Sequence, residues 1–434
     1  MSRRALFRLG LFQLGAGAVS VLFLGVLNRV LRVEMGLDLL LVGVVLGGGH
    51  YLGALAAIPF GHYSDRHPIR GLYRTPYIVA GITAVCLALA TAPFVVRELT
   101  ARGGGLWVVA GFVFFMVEGI GTYIAGTAYL ALITDLTTES ERGRAVALVW
   151  TLLMIGILVG VFFSVLTLRE YSFAALSLSF AAAAGGVLVL ALVALRRQER
   201  RAAAKPQSNG PASLGESFKR LANSRQARYF FAFLVVGLFS TFMQDVVLEP
   251  FGGEVLQLSV RATSLLNAYL MVGVIAAMWL GGARLIPRHG KEAVTKLGTW
   301  VQAVAFVLLA SSGLLHWAWL APPAILALGI GMGLFTVGGV SLMMDMTQSG
   351  QTGLFVGAWT LAQALAKGPA AIASSGLHNA ARALGAEPAG AYAAVFIVEA
   401  VGLALAVWLL RQVGLPRFRQ DAAQYSPLLT ETVD

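Results

Sequence analysis

Asp135-Leu-Thr137-Thr-Glu-Ser140-Glu-Arg-Gly143 and Asp345-Met-Thr347-Gln-Ser349-Gly-Gln-Thr-Gly353 are one pattern written twice. Asp, Thr and Gly recur at the same offsets, Ser is shifted by one place, and Trp150 and Trp359 follow soon after. The copies stand about 210 residues apart, each just beyond a long apolar run, as in two parallel repeats of one bundle. The surrounding composition says what kind of bundle. The chain is 58% hydrophobic and 12% charged, where soluble domains carry about 25% charged residues. An all-α polytopic membrane protein follows.

Windows of about 20 apolar residues mark the crossings. Twelve are expected, at about 9–31, 39–62, 75–96, 106–133, 145–168, 172–195, 228–249, 262–284, 296–315, 317–344, 353–375 and 389–410. The connections are short except for a basic stretch rich in Ala, Ser, Pro and Gly, which reads as a solvated linker. The expected organisation is a six-helix bundle over 1–195, a linker over 196–227, a second bundle over 228–411 and a tail over 412–434.

With both termini cytoplasmic, twenty-four of the 32 Lys and Arg fall in cytoplasmic segments and seven on the other side, with Lys367 inside a span. This asymmetry sets the expected orientation in a bacterial inner membrane. It also accounts for the formal charge of +11 through topology and lipid headgroups, without a nucleic-acid partner. The basic Met1–Arg8 precedes an apolar run too long for a signal-peptide core, so the first span is expected to be retained. One cysteine, Cys86, excludes an internal disulfide and dithiol chemistry. The chain carries no Walker loop, dinucleotide fingerprint, nucleophile elbow or HExxH, so no enzyme is expected.

The loop after the second span reads Gly61-His-Tyr-Ser-Asp65-Arg66-His-Pro-Ile-Arg70-Gly71-Leu-Tyr-Arg74. It resembles the major-facilitator loop signature, and the two-repeat plan is that of the same superfamily. Gly61 permits close helix approach, while Asp65, Arg66, Arg70 and Arg74 can pair across helix ends with the repeated Asp135 and Asp345. A structural latch is the expected role.

Further stretches resemble one branch of that superfamily. They are Leu14-Gly-Ala-Gly-Ala-Val-Ser20, Gly25-Val-Leu-Asn28-Arg29-Val, Arg74-Thr75-Pro76-Tyr77-Ile78, Gly119-Ile-Gly121 with Gly126-Thr127, Asp345-Met346-Thr347, and above all Gln244-Asp245-Val-Val-Leu-Glu249-Pro250-Phe-Gly252-Gly253-Glu254. Together they are similar to the PucC/LhaA family of photosynthetic bacteria. The resemblance implies an assembly factor for light-harvesting complexes. Its implied partners are antenna polypeptides and reaction-centre assembly intermediates, and its implied cargo is (bacterio)chlorophyll. A proton-coupled transporter of a small solute or tetrapyrrole is the alternative.

Polar residues inside an oily span are costly and mark sites or tight pairs. Asp245 and Glu249 share one helical face, beside Gln244. Pro250 is expected to stop that helix, and Gly252-Gly253 to turn it. Asn28, Arg29, Arg32 and Glu34 stand at the same level in the first repeat, so the arginines of one half are expected to pair with the acids of the other, as a gate or a permanent latch. His50 follows Gly47-Gly48-Gly49 and precedes Gly53. Two readings stand for it: a slot where a macrocycle lies with His50 on its magnesium, or tight helix packing. Glu118 reads as a neutral acid joining two helices, an ion-pair partner, or an oxygen ligand. Lys367 and Glu399 are expected to form an ion pair across adjacent spans.

Overall fold

The computed structural model describes residues 3–55, 67–137, 139–199, 225–345 and 352–413. Over these residues the chain forms twelve long helical elements. They are α1 (Arg4–Glu34), α2 (Leu39–Leu52), α3 (Thr75–Arg102), α4 (Gly104–Leu136), α5 (Glu139–Thr167), α6 (Phe173–Leu195), α7 (Arg228–Glu254), α8 (Val260–His289), α9 (Lys291–Leu314), α10 (Ala321–Asp345), α11 (Thr352–Ala383) and α12 (Pro388–Arg411). Ten are long and apolar enough to cross a membrane. Of α2 only a short apolar stretch is described. α11 is long enough but carries Gln363, Lys367, Ser374, Ser375, His378 and Asn379 along its length.

Local chemistry starts these helices where it should. Asp38 accepts hydrogen bonds from the backbone N–H of Leu40 and Leu41, Ser172 from Ala175, and Ser259 from Ala262, which satisfies donors with no partner inside the helix. Pro76 and Pro388 sit in the first turn of α3 and α12, where a missing N–H costs nothing. Gly103 and Gly104, both at positive φ, carry the chain from α3 to α4.

The repeat predicted from the two Asp-Thr-Gly segments appears as a repeat of packing. In the first half α1 packs on α5 and α6, α2 on α4, and α3 on α4 and α6. In the second half α7 packs on α11 and α12, α8 on α10, and α9 on α10 and α12. Each second pair is the first with six added to both labels. Across the halves α2 packs on α11 and α5 on α8, which are again equivalent pairs. The result is two pseudo-symmetric six-helix bundles. One apolar core lies around Phe115, Tyr129 and Phe180, and another around Phe251, Phe306 and Phe396, the second reaching across to Leu39 and Tyr51 of α2. Val21, Val161 and Val165 of the first half meet Leu265 and Ala268 of α8 at the seam.

One local expectation is overturned. Pro250 does not end α7, and Gly252-Gly253 do not turn it, because the helix runs on to Glu254. The irregularity falls earlier, at Met243. Gly253 is small because the first half presses against it: a Cβ there would come within 2.8 Å of Val33 and 3.2 Å of Arg29.

Candidate functional site

The helix survives Pro250 through a loan from the other half. A proline has no N–H, so the carbonyl of Val246 loses its intrahelical donor. Asn28 of α1 supplies one, with Nδ2 2.8 Å from that carbonyl and 3.3 Å from the carbonyl of Asp245. Around this point the face opposite the chain termini, here the far face, is tied shut. Arg32 donates twice to Glu254, at 2.8 and 3.2 Å, and the hydroxyl of Tyr392 donates to the same carboxylate at 2.6 Å. Arg29 pairs with Glu34 and donates to the carbonyl of Leu258 across the seam at 2.9 Å. Asn379 of α11 donates to Asp38 at 2.6 Å.

Arginines of one half do meet an acid of the other, but the acid differs from the expected pair. Glu254, at the end of α7, takes Arg32. Glu249 and Asp245 sit about one and a half and two and a half turns deeper. Glu249 is buried and accepts from Asn267 of α8, and among the described residues its second oxygen has no hydrogen-bond partner. Helical spacing placed Asp245 and Glu249 on one face and left Glu254 beyond the expected stop at Pro250, and only the fold shows that the helix carries Glu254 to the seam.

At the mid-membrane level a second polar cluster joins the halves. His50 Nδ1 lies 2.6 Å from Glu118, which also accepts from Thr122 at 2.8 Å. Tyr51 and Tyr123 flank the imidazole, with ring centroids 5.0 and 5.8 Å away. The hydroxyl of Tyr51 crosses the seam to Asp245 at 3.2 Å, and Gln244 donates to the other oxygen of Asp245 at 2.5 Å. Among the described residues, the cross-half bonds lie between this level and the far face.

Lys367 and Glu399 do not pair. The Lys367 ammonium lies over Phe242, 4.4 Å from the ring centroid, and 5.8 Å from that of Tyr51, with Asp245 as its electrostatic counterpart. Glu399 is fully buried on α12, and among the described residues neither carboxylate oxygen has a hydrogen-bond partner. Adjacent spans suggested the pair, but Lys367 turns toward α7 and α2 instead.

On the terminus face, Arg74 Nε lies 3.2 Å from Asp135, joining the start of α3 to the end of α4. Arg70 is exposed at positive φ. Gly61, Asp65 and Arg66 lie outside the described residues, as does the side chain of Asp345. Sequence reasoning missed Glu199, whose carboxylate accepts from the backbone N–H groups of Tyr73, Arg74 and Thr75 and so caps α3. With it, Arg196 and Gln198 bond to Arg8 and to the carbonyl of Ala5, so the first residues after α6 are bound to the first bundle. The lone acid after two arginines was the available signal.

A model of the PUCC protein family matches residues 26–418. The chain belongs to that family. Similar proteins include one named for the puhA-bchM intergenic region of Rhodobacter capsulatus, 32% identical over 92% of this chain and 87% of that protein. Protein PucC of Cereibacter sphaeroides is 30% identical over 92% and 89%. A protein called the bacteriochlorophyll synthase 44.5 kDa chain of Rhodobacter capsulatus is 30% identical over 91% and 94%. In fold, this PUCC-family protein matches a bacterial homologue of the lysosomal transporter Spinster with a TM-score of 0.70, at 15% identity, over 97% of this chain and 99% of that one. The nucleoside transporter NupG gives 0.69 at 14%, over 94% and 98%. The fold is therefore that of the major facilitators, in a family of photosynthetic bacteria.

Of the two readings for His50 in this PUCC-family member, the helix distances favour tight packing over a macrocycle slot. A Cβ on Gly53 would stand 2.3 Å from the backbone of Gly119, and one on Gly49 would stand 2.9 Å from the carbonyl of Phe112, both on α4. Gly47 is as close to Ala371 of α11, at 2.6 Å. The glycines let three helices touch. His50 backed by Glu118 has the carboxylate–histidine arrangement of a metal ligand, but a flat macrocycle has no face to lie on there.

Proposed function

We propose that this chain is a membrane assembly factor for bacterial photosynthetic antenna complexes. It lies in the cytoplasmic or intracytoplasmic photosynthetic membrane with both termini cytoplasmic. It binds antenna polypeptides through its lipid-facing surface and holds or passes (bacterio)chlorophyll to them, and it is not itself an enzyme. The observation that carries this reading is the family match, which runs through both halves from residue 26 to 418. The tied far face supports it, since a bundle bolted by Arg32–Glu254, Arg29–Leu258 and Asn28–Val246 suits a platform. Purification in mild detergent from a pigmented host tests it. Antenna subunits or tetrapyrrole absorbance are expected in the purified fraction, and complete absence of both overturns the proposal.

A second reading keeps the transport activity of the fold. Glu399, buried with both oxygens unpartnered and in electrostatic reach of Asp245, is the specific observation that favours it. Spin labels on the ends of α1 and α7 at both faces decide between the readings. Distances that change with pH or ligand support rocking, and fixed distances under all conditions exclude it.

A further inference from the structure

On the far face one buried ring lies between the ties and can take a proton. His378 of α11 is 1% exposed, and its ring packs against that of Tyr392 with centroids 4.4 Å apart. Its Nδ1 lies 3.3 Å from the side-chain oxygen of Asn379, whose amide nitrogen already donates to Asp38. An amide oxygen only accepts, so the proton of the neutral ring is on Nδ1. Nε2 is then a bare acceptor, buried and without a hydrogen-bond partner among the described residues. Both neighbours of the ring serve the closed face. Asn379 holds the start of α2, and Tyr392 holds Glu254, which takes Arg32 of α1. The charged groups in electrostatic reach of the ring are Arg32, Glu254 and, on the same helix, Arg382. Glu254 is already held by Arg32 and Tyr392, and Asp38 by Asn379. A second proton on the ring would therefore bring a buried charge and an N–H with no acceptor, within reach of two arginines.

We infer that protonation of His378 releases the far face. The neutral ring fits inside the ties. The charged ring needs water at Nε2, and water reaches it only when the ring leaves Tyr392 and the Asn379–Asp38 and Arg32–Glu254 contacts part. Cation–π attraction to Tyr392 offsets only part of the lost hydration. The open form takes up a proton that the closed form refuses, so acid favours opening and neutral or alkaline conditions favour closure. This switch needs neither reading of the function, because a face that opens in acid can serve a platform or a transporter.

The test uses the full chain in phosphatidylcholine nanodiscs, with spin labels at the far-face ends of α2 and α11. Their distance is read by pulsed electron resonance at about pH 8 and about pH 5, on either side of the ordinary imidazole value. The short distance is expected to dominate at the higher pH. On acidification the long-distance fraction is expected to rise about tenfold or more, where one imidazole that ionises only in the open form can couple as much as about thirtyfold. His378→Phe keeps a ring on Tyr392 and cannot titrate, and it is expected to hold the short distance at both pH values. A distribution that does not change with pH in the unaltered protein overturns the inference without any variant. A monodisperse His378→Phe protein that opens in acid as the unaltered one does overturns it as well, since the proton would then act on another group.

Discussion

At the scale of single residues, Pro250 and Asn28 form one unit although 222 positions separate them in the chain. Removing the side-chain donor leaves the Val246 carbonyl buried and unpaired, a loss of about 1–3 kcal/mol. Asn28→Leu is therefore expected to lower thermal stability by that amount in detergent. The same change made on a Pro250→Ala background is expected to cost less, because alanine restores an N–H for the helix to use. Equal costs in both backgrounds, read as a double-mutant cycle, would show that Asn28 acts on something else. Neither residue announces the other in the sequence. The rule that proline ends a helix holds for a helix alone, and the compensating donor comes from another repeat. The acids show the same limit. Their spacing on α7 is legible, whereas the choice of Glu254 for Arg32 depends on how far along the seam each one falls. Glu249→Gln and Asp245→Asn are expected to reduce antenna accumulation more than the level of the protein itself, measured by immunoblot beside absorbance. Parallel loss of both would mark them as purely structural.

At the scale of helices, close approach explains more than any ligand does. Gly119 of α4 lies under the backbone of His50, where a Cβ would meet the carbonyl oxygen at 2.1 Å. The two helices can stay in contact only if that position is bare. Gly119→Ala is expected to force them apart and cost roughly 1–3 kcal/mol, as overpacking does. Gly185→Ala, on α6 with nothing within 4 Å of the added methyl, is expected to be neutral or mildly stabilising. Thermal unfolding of the two variants side by side checks the contrast. A similar loss in both would refute the packing account. His50→Leu is expected to leave co-purified pigment unchanged while lowering stability, since its ring partners and Glu118 lie inside this contact. The glycine run was visible as a bare surface in the sequence. Whether a bare surface receives a pigment or a neighbouring helix depends on distances that only the packed helices define.

At the scale of the whole molecule, hydrophobic runs and the skew of positive charge made the twelve-helix plan legible, because both respond to the membrane rather than to tertiary contacts. The repeated Asp-Thr-Gly segments made the two halves legible for the same reason that the packing pairs repeat. The cross-half ties were legible only in kind, as arginines of one half meeting an acid of the other; their partners were not, since the ties join residues more than 190 positions apart. The fold places these ties on one side of the seam. Arg32→Met with Glu254→Gln is expected to widen the far face, measured as a longer and broader distance between spin labels on the ends of α1 and α7. An unchanged distribution would mean that apolar contacts such as Val161 with Leu265 hold that face without the ion pair.

The loan from Asn28 to Val246 also has a consequence for how the protein is made. The first bundle leaves the ribosome complete, with its donor in place and no carbonyl to receive it. When α7 enters the membrane, its backbone carries a gap that no residue of its own half fills. The earlier half then acts as a template for the later one, and α7 reaches its final form only on contact with it. Expressed without residues 1–199, the second half is expected to insert but to remain open to proteolysis near Val246, and co-expression of the missing half should protect it.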